Sequence, residues 1–267
     1  MLGAIIGDIA GSRFEFNNIR SKDFELFAEN CSITDDSVMT LAVAKAILAC
    51  NGDWERLGEN AVRYMREIGR KYPHCGFGGM FRKWVFSKDP APYNSYGNGA
   101  AMRVSPCGFI ARTEDEAILL SRKVTEVTHN HPEGLKGAQA VSVAIFMARN
   151  GAAKNEIKER VEKEYYALNF TLDGIREKYQ FNETCQETVP QAIAAFLESV
   201  SFEDAVRNAI SIGGDSDTLA AITGSIAEAY YGVPAELKSR ALSYLDRGLL
   251  TIYREWEELS PHSNGGK

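Results

Sequence analysis

The chain carries two acidic stretches, TDDSVMTLA (residues 34–42) and GGDSDTLAAITG (residues 213–224), and an apolar helical pattern follows directly in each of them. Asp35 lies 180 positions before Asp215, so only folding can bring the two stretches together. Their carboxylates would then repel one another and take up protons unless a cation lay between them. Carboxylate and hydroxyl oxygens suit Mg²⁺, Mn²⁺ or Ca²⁺ better than zinc or copper. The two stretches therefore predict helix starts that converge on a divalent-cation site.

Helix capping is a second interpretation of the same two stretches. Asp and Ser are preferred N-cap residues, and a negative charge at a helix N-terminus is favourable without any metal. A cap needs one side chain, however, whereas each stretch offers several. The two stretches alone leave both interpretations open.

Apolar residues recur at helical spacing through most of the chain. Period-2 alternation is nearly absent, and residues 170–172 form the only faint strand candidate. No linker, internal repeat or low-complexity run divides the sequence. We therefore predict one all-α domain over residues 1–259, followed by a flexible tail at residues 260–267. The predicted helices run from Asp36 to a stop at Gly52, and then over Trp54–Ile68, Met80–Phe86, Glu114–Val127, Leu135–Met147, Ala152–Tyr166, Val189–Val200, Phe202–Ile212, Leu219–Tyr231 and Ala235–Tyr253.

The composition is that of a soluble globular protein, with 45% hydrophobic and 25% charged residues. A formal net charge of −6 and the lack of a dense Lys/Arg block argue against a nucleic-acid or anionic-membrane surface. The five cysteines show no CxxC spacing, which disfavours a disulfide framework or a zinc site. No apolar run approaches the roughly 20 residues that cross a bilayer, and no basic signal-peptide region precedes the first apolar residues. We expect a cytoplasmic protein.

Two further motifs carry polar groups that need an explanation. In GDIAGSRFEF (residues 7–16), Asp8 and Glu15 stand among apolar neighbours, where a buried carboxylate needs a partner or a metal. In CGFGG (residues 75–79), the glycines precede a predicted helix, so backbone N–H groups there are able to approach an anion. This is not the Walker sequence, because its Lys is missing. A plain turn explains the glycines equally well.

The last two motifs lie in the middle of the chain. In SYGNGAAMR (residues 95–103), Asn-Gly indicates a turn, Tyr96 offers an aromatic face for a nucleobase, and Met102 offers an apolar wall. In THNHPEG (residues 128–134), His129 and His131 suggest zinc at first sight. Only two other histidines exist and no Cys motif accompanies them, so a histidine lining a ligand pocket is the better interpretation.

These motifs in this order resemble the ADP-ribosylglycohydrolase family, which includes the dinitrogenase reductase-activating glycohydrolases. The resemblance runs from about Leu2 to about Tyr231 and rests on GDIAGSRFEF, TDDSVMTLA, CGFGG, SYGNGAAMRVSP, THNHPEG and GGDSDTLAAITG. It implies an all-helical fold with two divalent cations, commonly Mg²⁺ or Mn²⁺, at the base of a cleft. Ser37 and Ser216 stand where many members have Thr, and both keep the hydroxyl.

The resemblance also implies roles for individual residues. Glu15 matches a mobile catalytic or gating carboxylate, and either Glu15 or Asp36 is expected to transfer the proton. The expected metal ligands are Thr34, Asp35, Asp36, Asp215, Asp217 and Thr218. The expected ADP-ribose-binding residues are Gly78, Ser95, Tyr96, Gly97, Asn98 and His129, with Met102 as the apolar wall beside them.

The expected activity is metal-dependent hydrolysis of the bond between ADP-ribose and an acceptor. The acceptor is left open: arginine, serine, O-acetyl-ADP-ribose or another small molecule would use the same metal core. Specificity is expected in loops such as 17–32 or 171–188, and the oligomeric state is open. One alternative is a non-enzymatic relative that binds ADP-ribose or serves a structural role. Another is a two-metal hydrolase of phosphate esters, for which only Arg13 and Arg103 offer phosphate-binding cations.

Overall fold

The computed structural model describes residues 1–259, so the tail predicted at residues 260–267 lies outside the described part. Within residues 1–259 the chain forms helices and no strand, apart from one isolated bridge between Gly97 and Thr184. The all-α prediction is therefore confirmed. The helices are α1 (Leu2–Ser12), α2 (Asp35–Cys50), α3 (Leu57–Gly69), α4 (Gly79–Phe86), α5 (Ser105–Ile110), α6 (Glu114–Thr125), α7 (Pro132–Arg149), α8 (Lys154–Glu164), α9 (Leu172–Ile175), α10 (Cys185–Leu197), α11 (Phe202–Ser211), α12 (Ser216–Tyr231), α13 (Ala235–Leu242) and α14 (Arg247–Leu259).

Two details of the predicted elements are wrong. The faint strand at residues 170–172 is the start of α9, because the Thr171 hydroxyl accepts a hydrogen bond from Gly174 N and caps a short helix. The single helix predicted over residues 235–253 is broken between α13 and α14. There the Asp246 carboxylate accepts hydrogen bonds from Gly248 N and Leu249 N and so starts a new helix.

Helices α1 and α12 pack in backbone contact along a seam of glycines. A Cβ atom on Gly3 would lie 2.0 Å from the Gly224 carbonyl oxygen, and one on Gly7 would lie 2.0 Å from the Ala220 carbonyl oxygen. A Cβ on Gly11 would lie 2.5 Å from the Asp217 Cα. No residue larger than glycine fits at these positions without moving one helix. Almost all of α1 is buried, which is why its apolar residues show no clear amphipathic period.

The seam brings the start of α12 next to the start of α2. Thr218 in the first turn of α12 donates a hydrogen bond to Asp36 in the first turn of α2, with 3.2 Å between Oγ1 and Oδ2. Both helices are buried over most of their length, so their starts are fixed by the core. No helix described in residues 1–259 combines the length and apolar character required to cross a membrane.

Candidate active site

A cleft of about 750 Å³ opens where α2 and α12 begin. It brings together the two acidic stretches that are far apart in sequence. Every site residue predicted from the sequence lies on its lining: Glu15, Thr34, Asp35, Asp36, Gly78, Ser95, Tyr96, Gly97, Asn98, Met102, His129, Asp215, Asp217 and Thr218. The placement is observed, whereas the roles of these residues stay predictions.

The acidic floor of the cleft consists of Asp8, Glu15, Asp35, Asp36, Asp215 and Asp217. Two overlapping groups of three are close enough to share a cation. Asp8, Asp36 and Asp217 form one group, and Glu15, Asp215 and Asp217 form the other. Within each group, one carboxylate oxygen per residue lies within 4.8 Å of the others. Asp217 belongs to both groups and therefore lies between two candidate cation positions.

Asp8 is a central part of the floor that the predicted site residues did not include. Its Oδ2 accepts hydrogen bonds from Thr34 N and Ser37 N, both at 3.0 Å, and a short one from the Ser37 hydroxyl. Its Oδ1 accepts from Thr34 Oγ1 at 2.7 Å. Asp8 thus attaches the first turn of α2 to α1. The sequence signal was an acidic residue inside an apolar helical run, which indicates a burial that needs partners.

Capping accounts for little of the acidic floor. The side-chain cap of α2 is Thr34, whose hydroxyl accepts from Asp36 N at 3.3 Å. Asp215 occupies the N-cap position of α12 but makes no capping hydrogen bond. Asp36 Oδ1 is buried and has no hydrogen-bond partner among the described residues. Capping hydrogen bonds therefore do not explain why these carboxylates lie together.

Burial and mutual repulsion favour the protonated form of several floor carboxylates. Burial, followed by the charge of Asp8, raises the pKa of Asp35 to about 8. Burial raises the pKa of Asp8 to about 6, against the opposing effect of its hydrogen bonds. Burial and the neighbouring carboxylates raise the pKa values of Asp36 and Asp217 well above their ordinary range. Positive charge placed between these groups would reverse the shifts, so the floor fits a cation.

The glycine pair before α12 sets the position of Asp215. Gly213 and Gly214 have φ values of 72° and 76°, a left-handed conformation that favours glycine. Asn18 holds the turn, because its Oδ1 accepts from Gly214 N at 2.8 Å and its Nδ2 donates to Gly214 O at 2.9 Å. A Cβ on Gly214 would lie 2.3 Å from the ring of Tyr179. This hydrogen-bonded turn fixes the backbone position of Asp215.

Opposite the floor, residues 76–79 and 95–99 form a glycine-rich wall. Gly78 and Gly79 start α4, and Cβ atoms built on them would meet nothing within 4 Å, so the cleft is open against this backbone. The free N–H groups of a helix start offer donors to an anion. Tyr96 presents a ring that is 46% exposed and lies 5.1 Å from the His131 ring.

Asn98 makes hydrogen bonds within the protein that the sequence motifs did not indicate. Its side-chain amide donates to Asp215 Oδ2 at 2.7 Å and to Thr188 Oγ1 at 3.2 Å. Its backbone N–H donates to Glu183 O at 2.7 Å. Asn98 therefore connects the glycine-rich wall to the acidic floor, and its amide orients a carboxylate.

The cleft lining includes residues that sequence reasoning did not assign to the site. Arg103 was considered only as a phosphate-binding cation for the alternative hydrolase of phosphate esters, and Phe181 and Glu183 were not singled out. The last two belong to the loop 171–188, one of two expected to carry specificity. None of residues 17–32, all of which the structure describes, contributes to the lining.

A sequence model described as ADP-ribosylglycohydrolase matches residues 1–260. The chain belongs to the ADP-ribosylglycohydrolase family. ADP-ribosylhydrolase ARH3 of Gallus gallus is 25% identical over 311 aligned residues, covering 87% of this chain and 84% of that protein. ADP-ribosylarginine hydrolase Tri1 of Pseudomonas putida (strain GB-1) is 26% identical over 264 residues, covering 87% of this chain and 70% of that protein.

The fold of this ADP-ribosylglycohydrolase also has a solved counterpart. A chain described as an ADP-ribosylglycohydrolase-related protein complex superimposes with a TM-score of 0.69 at 23% identity, covering 97% of both chains. The fold class predicted from the motifs is thereby confirmed. The family assignment makes the protein an enzyme of the glycosidic-bond hydrolase class.

Proposed function

We propose that this ADP-ribosylglycohydrolase uses two divalent cations, Mg²⁺ or Mn²⁺, to hydrolyse the bond between the ribose of ADP-ribose and an acceptor. The proposal of a metal rests on Asp36 Oδ1, which is buried inside a cluster of carboxylates and has no hydrogen-bond partner within residues 1–259. Such an oxygen is costly unless a cation or a proton satisfies it. The donors are all oxygen, which suits these two ions.

Six residues would hold the cations, and they come from both acidic stretches. When bound, the cations orient the ribose hydroxyls and lower the pKa of a water toward neutrality. Asp8 supports this set from behind through its hydrogen bonds to Thr34 and Ser37. The proposed ligands are Thr34, Asp35, Asp36, Asp215, Asp217 and Thr218.

We assign the proton transfer to Glu15. It is half-buried on the cleft lining, and burial together with Asp215 and Glu183 raises its pKa to about 7. Bound cations would lower this pKa again. The assignment therefore rests on exposure: a carboxylate must reach the substrate to transfer a proton, and Glu15 is the more exposed of the two candidates. Asp36, the other candidate, is fully buried and accepts from Thr218, which suits a cation ligand better.

The glycine-rich wall would hold the nucleotide half of the ligand. Backbone N–H groups at the start of α4 would donate to the diphosphate, and the helix dipole favours negative charge there. The exposed ring of Tyr96 offers a stacking surface for adenine. Ser95, Gly97, Met102 and His129 complete this part of the lining.

The substrate we propose is an ADP-ribosylated protein side chain, such as arginine or serine, or a small ADP-ribosylated molecule. One relative is named an ADP-ribosylarginine hydrolase. The proposed floor and wall would serve any ADP-ribose adduct. A net charge of −6 argues against binding to nucleic acid or to anionic membranes. The five cysteines without CxxC spacing are the basis on which we propose a cytoplasmic protein.

The test is a panel of ADP-ribosylated arginine, ADP-ribosylated serine and O-acetyl-ADP-ribose. Metal-stripped protein is assayed alone and with Mg²⁺ or Mn²⁺. We expect release of ADP-ribose from at least one substrate only when a cation is present. Folded protein that binds ADP-ribose but cleaves no substrate with either ion would point to the non-enzymatic alternative. Full turnover in excess chelator, with no metal found by elemental analysis, would remove the cations from the reaction.

A further inference from the structure

Arg103 is a buried cation that no carboxylate neutralises by a hydrogen bond within residues 1–259. The residue is 1% exposed, and its Nε has no hydrogen-bond partner. Its guanidinium carbon lies 5.3 Å from the centroid of the Phe81 ring, and the residue lies on the cleft lining. A charge buried without an ionic partner destabilises the fold. Its position beside the cleft suggests that the group serves the site.

A hydrogen-bonded chain leads from Arg103 to the cleft. Arg103 Nη2 donates to Thr128 Oγ1 at 2.6 Å, and Thr128 Oγ1 lies 2.8 Å from His129 Nδ1. All three side chains are buried. On the other side of the ring, His129 Nε2 faces the glycine-rich wall, because Cβ atoms built on Gly97 and Gly99 would lie 3.6 Å and 3.5 Å from it.

The Thr128 hydroxyl has one proton and two acceptors within reach. His129 Nδ1 lies at 2.8 Å, and the Thr125 carbonyl oxygen lies at 3.3 Å. A hydroxyl that accepts from a cation is polarised and becomes a better donor, and the nearer acceptor is Nδ1. Burial, followed by the charge of Arg103, lowers the pKa of His129 well below its ordinary value. The ring is therefore neutral and carries a single proton.

We propose that Arg103 and Thr128 are positioning residues that hold His129 in its Nε2–H tautomer, so that the ring offers an uncharged hydrogen-bond donor to a ligand oxygen. Identifying that oxygen as part of bound ADP-ribose rests on the proposed function. A neutral donor suits this cleft, because a positive imidazolium would repel the cations proposed for the acidic floor. It also suits a sugar or phosphate oxygen, which accepts a hydrogen bond.

The tautomer is measured directly by ¹⁵N NMR of protein labelled at histidine. The chain has four histidines, and the signal lost in His129→Gln identifies the one in the cleft. We expect the proton of wild-type His129 on Nε2. Thr128→Ser keeps the hydroxyl and should keep this state, whereas Thr128→Val should give the Nδ1–H form or a mixture. Arg103→Met should likewise give a mixture. If the wild-type ring is protonated at Nδ1, the proposal is wrong, and no variant is needed to show it. An unchanged tautomer in Thr128→Val would also overturn the proposal.

Binding separates this proposal from the proposed function. In calorimetry with ADP-ribose, Thr128→Val should bind about tenfold more weakly than wild type, the size of one lost hydrogen bond, and Thr128→Ser within about twofold. Equal affinity of wild type and a Thr128→Val variant whose tautomer has shifted would overturn the proposed donor. If the tautomer behaves as expected but wild type neither binds ADP-ribose nor cleaves any adduct, the proposed function fails while the positioning of His129 stands.

Discussion

The acidic floor and the glycine-rich wall face each other across one cleft, yet they are built differently. The floor consists of side chains, mostly buried, whose positions are fixed by the starts of two core helices and by α1. The wall consists largely of backbone, with open space in front of Gly78 and Gly79 and an exposed ring at Tyr96. In the proposed function the floor would provide the charge needed for the reaction, and the wall would provide a shape for the nucleotide. Removing charge from the floor should alter both turnover and stability. Substitutions in the wall should alter only the affinity for ADP-ribose.

Removing the cations should have the largest effect. Chelation is expected to abolish turnover and to lower the thermal midpoint, because an ion that binds only the folded state stabilises it by about 2.7 kcal/mol at a concentration of 100 Kd. Mg²⁺ or Mn²⁺ added back should restore both. The measurements are a hydrolysis assay and a thermal melt on the same sample. An unchanged melting temperature after complete metal removal would contradict the floor as a cation site.

The metal-free protein should lose stability as the pH rises. The floor carboxylates have folded-state pKa values above the ordinary 3.8, to about 6 for Asp8 and about 8 for Asp35. Between the ordinary pKa of the unfolded state and the raised pKa of the folded state, the folded protein binds more protons than the unfolded chain. The free energy of unfolding therefore falls from about pH 4 toward pH 8. Bound Mg²⁺ should flatten this slope. Denaturant titrations at several pH values, with and without Mg²⁺, measure this pH dependence. A metal-free protein whose free energy of unfolding rises with pH would contradict the prediction.

Single substitutions in the floor should separate catalysis from capping. Asp36→Asn and Asp217→Asn are each expected to keep the helical fold and to lose at least about tenfold in activity, equivalent to about 1.4 kcal/mol of transition-state stabilisation. The reason is that Asn keeps an acceptor but removes a charge that holds the ion. Asp53→Asn is the matched control, because Asp53 is an exposed N-cap far from the lining. Wild-type activity in both floor variants would mean that the carboxylates only support helix starts.

A substitution in the glycine-rich wall should have a smaller effect than one in the acidic floor. Tyr96→Ala is expected to weaken ADP-ribose binding by about 1 kcal/mol, the lower end of the range for base–aromatic stacking, since the ring is already partly solvated. Cation affinity should be unchanged, because Tyr96 is not among the proposed cation ligands. Calorimetry with ADP-ribose and with Mn²⁺ tests both statements. An unaltered ADP-ribose affinity would remove Tyr96 from the nucleotide site.

Much of this organisation could be predicted from the sequence because its signals are local. Helices with one apolar face, such as α3 and α11, and the dense polar motifs at helix starts are both short-range patterns. The missed features depend on contacts between distant segments. Helix α1 is buried on nearly all sides, so its sequence shows no amphipathic period that would indicate its packing against α12. The hydrogen bonds of Asp8 and the role of Asn98 toward Asp215 span 26 to 117 positions, and no spacing rule encodes them.

Main-chain contact, rather than interdigitated side chains, sets the separation of α1 and α12. Side chains at an interface can change rotamer when a nearby charge appears or disappears, but two backbones already in contact cannot approach further. Asp8 and Asp217 lie on the two helices of this contact, so the separation of their backbones should be the same with and without a bound ion. In the proposed function the floor would act as a rigid chelator, whose donors need little ordering on binding. Its selectivity among ions would then follow from a fixed donor spacing that the ion must match.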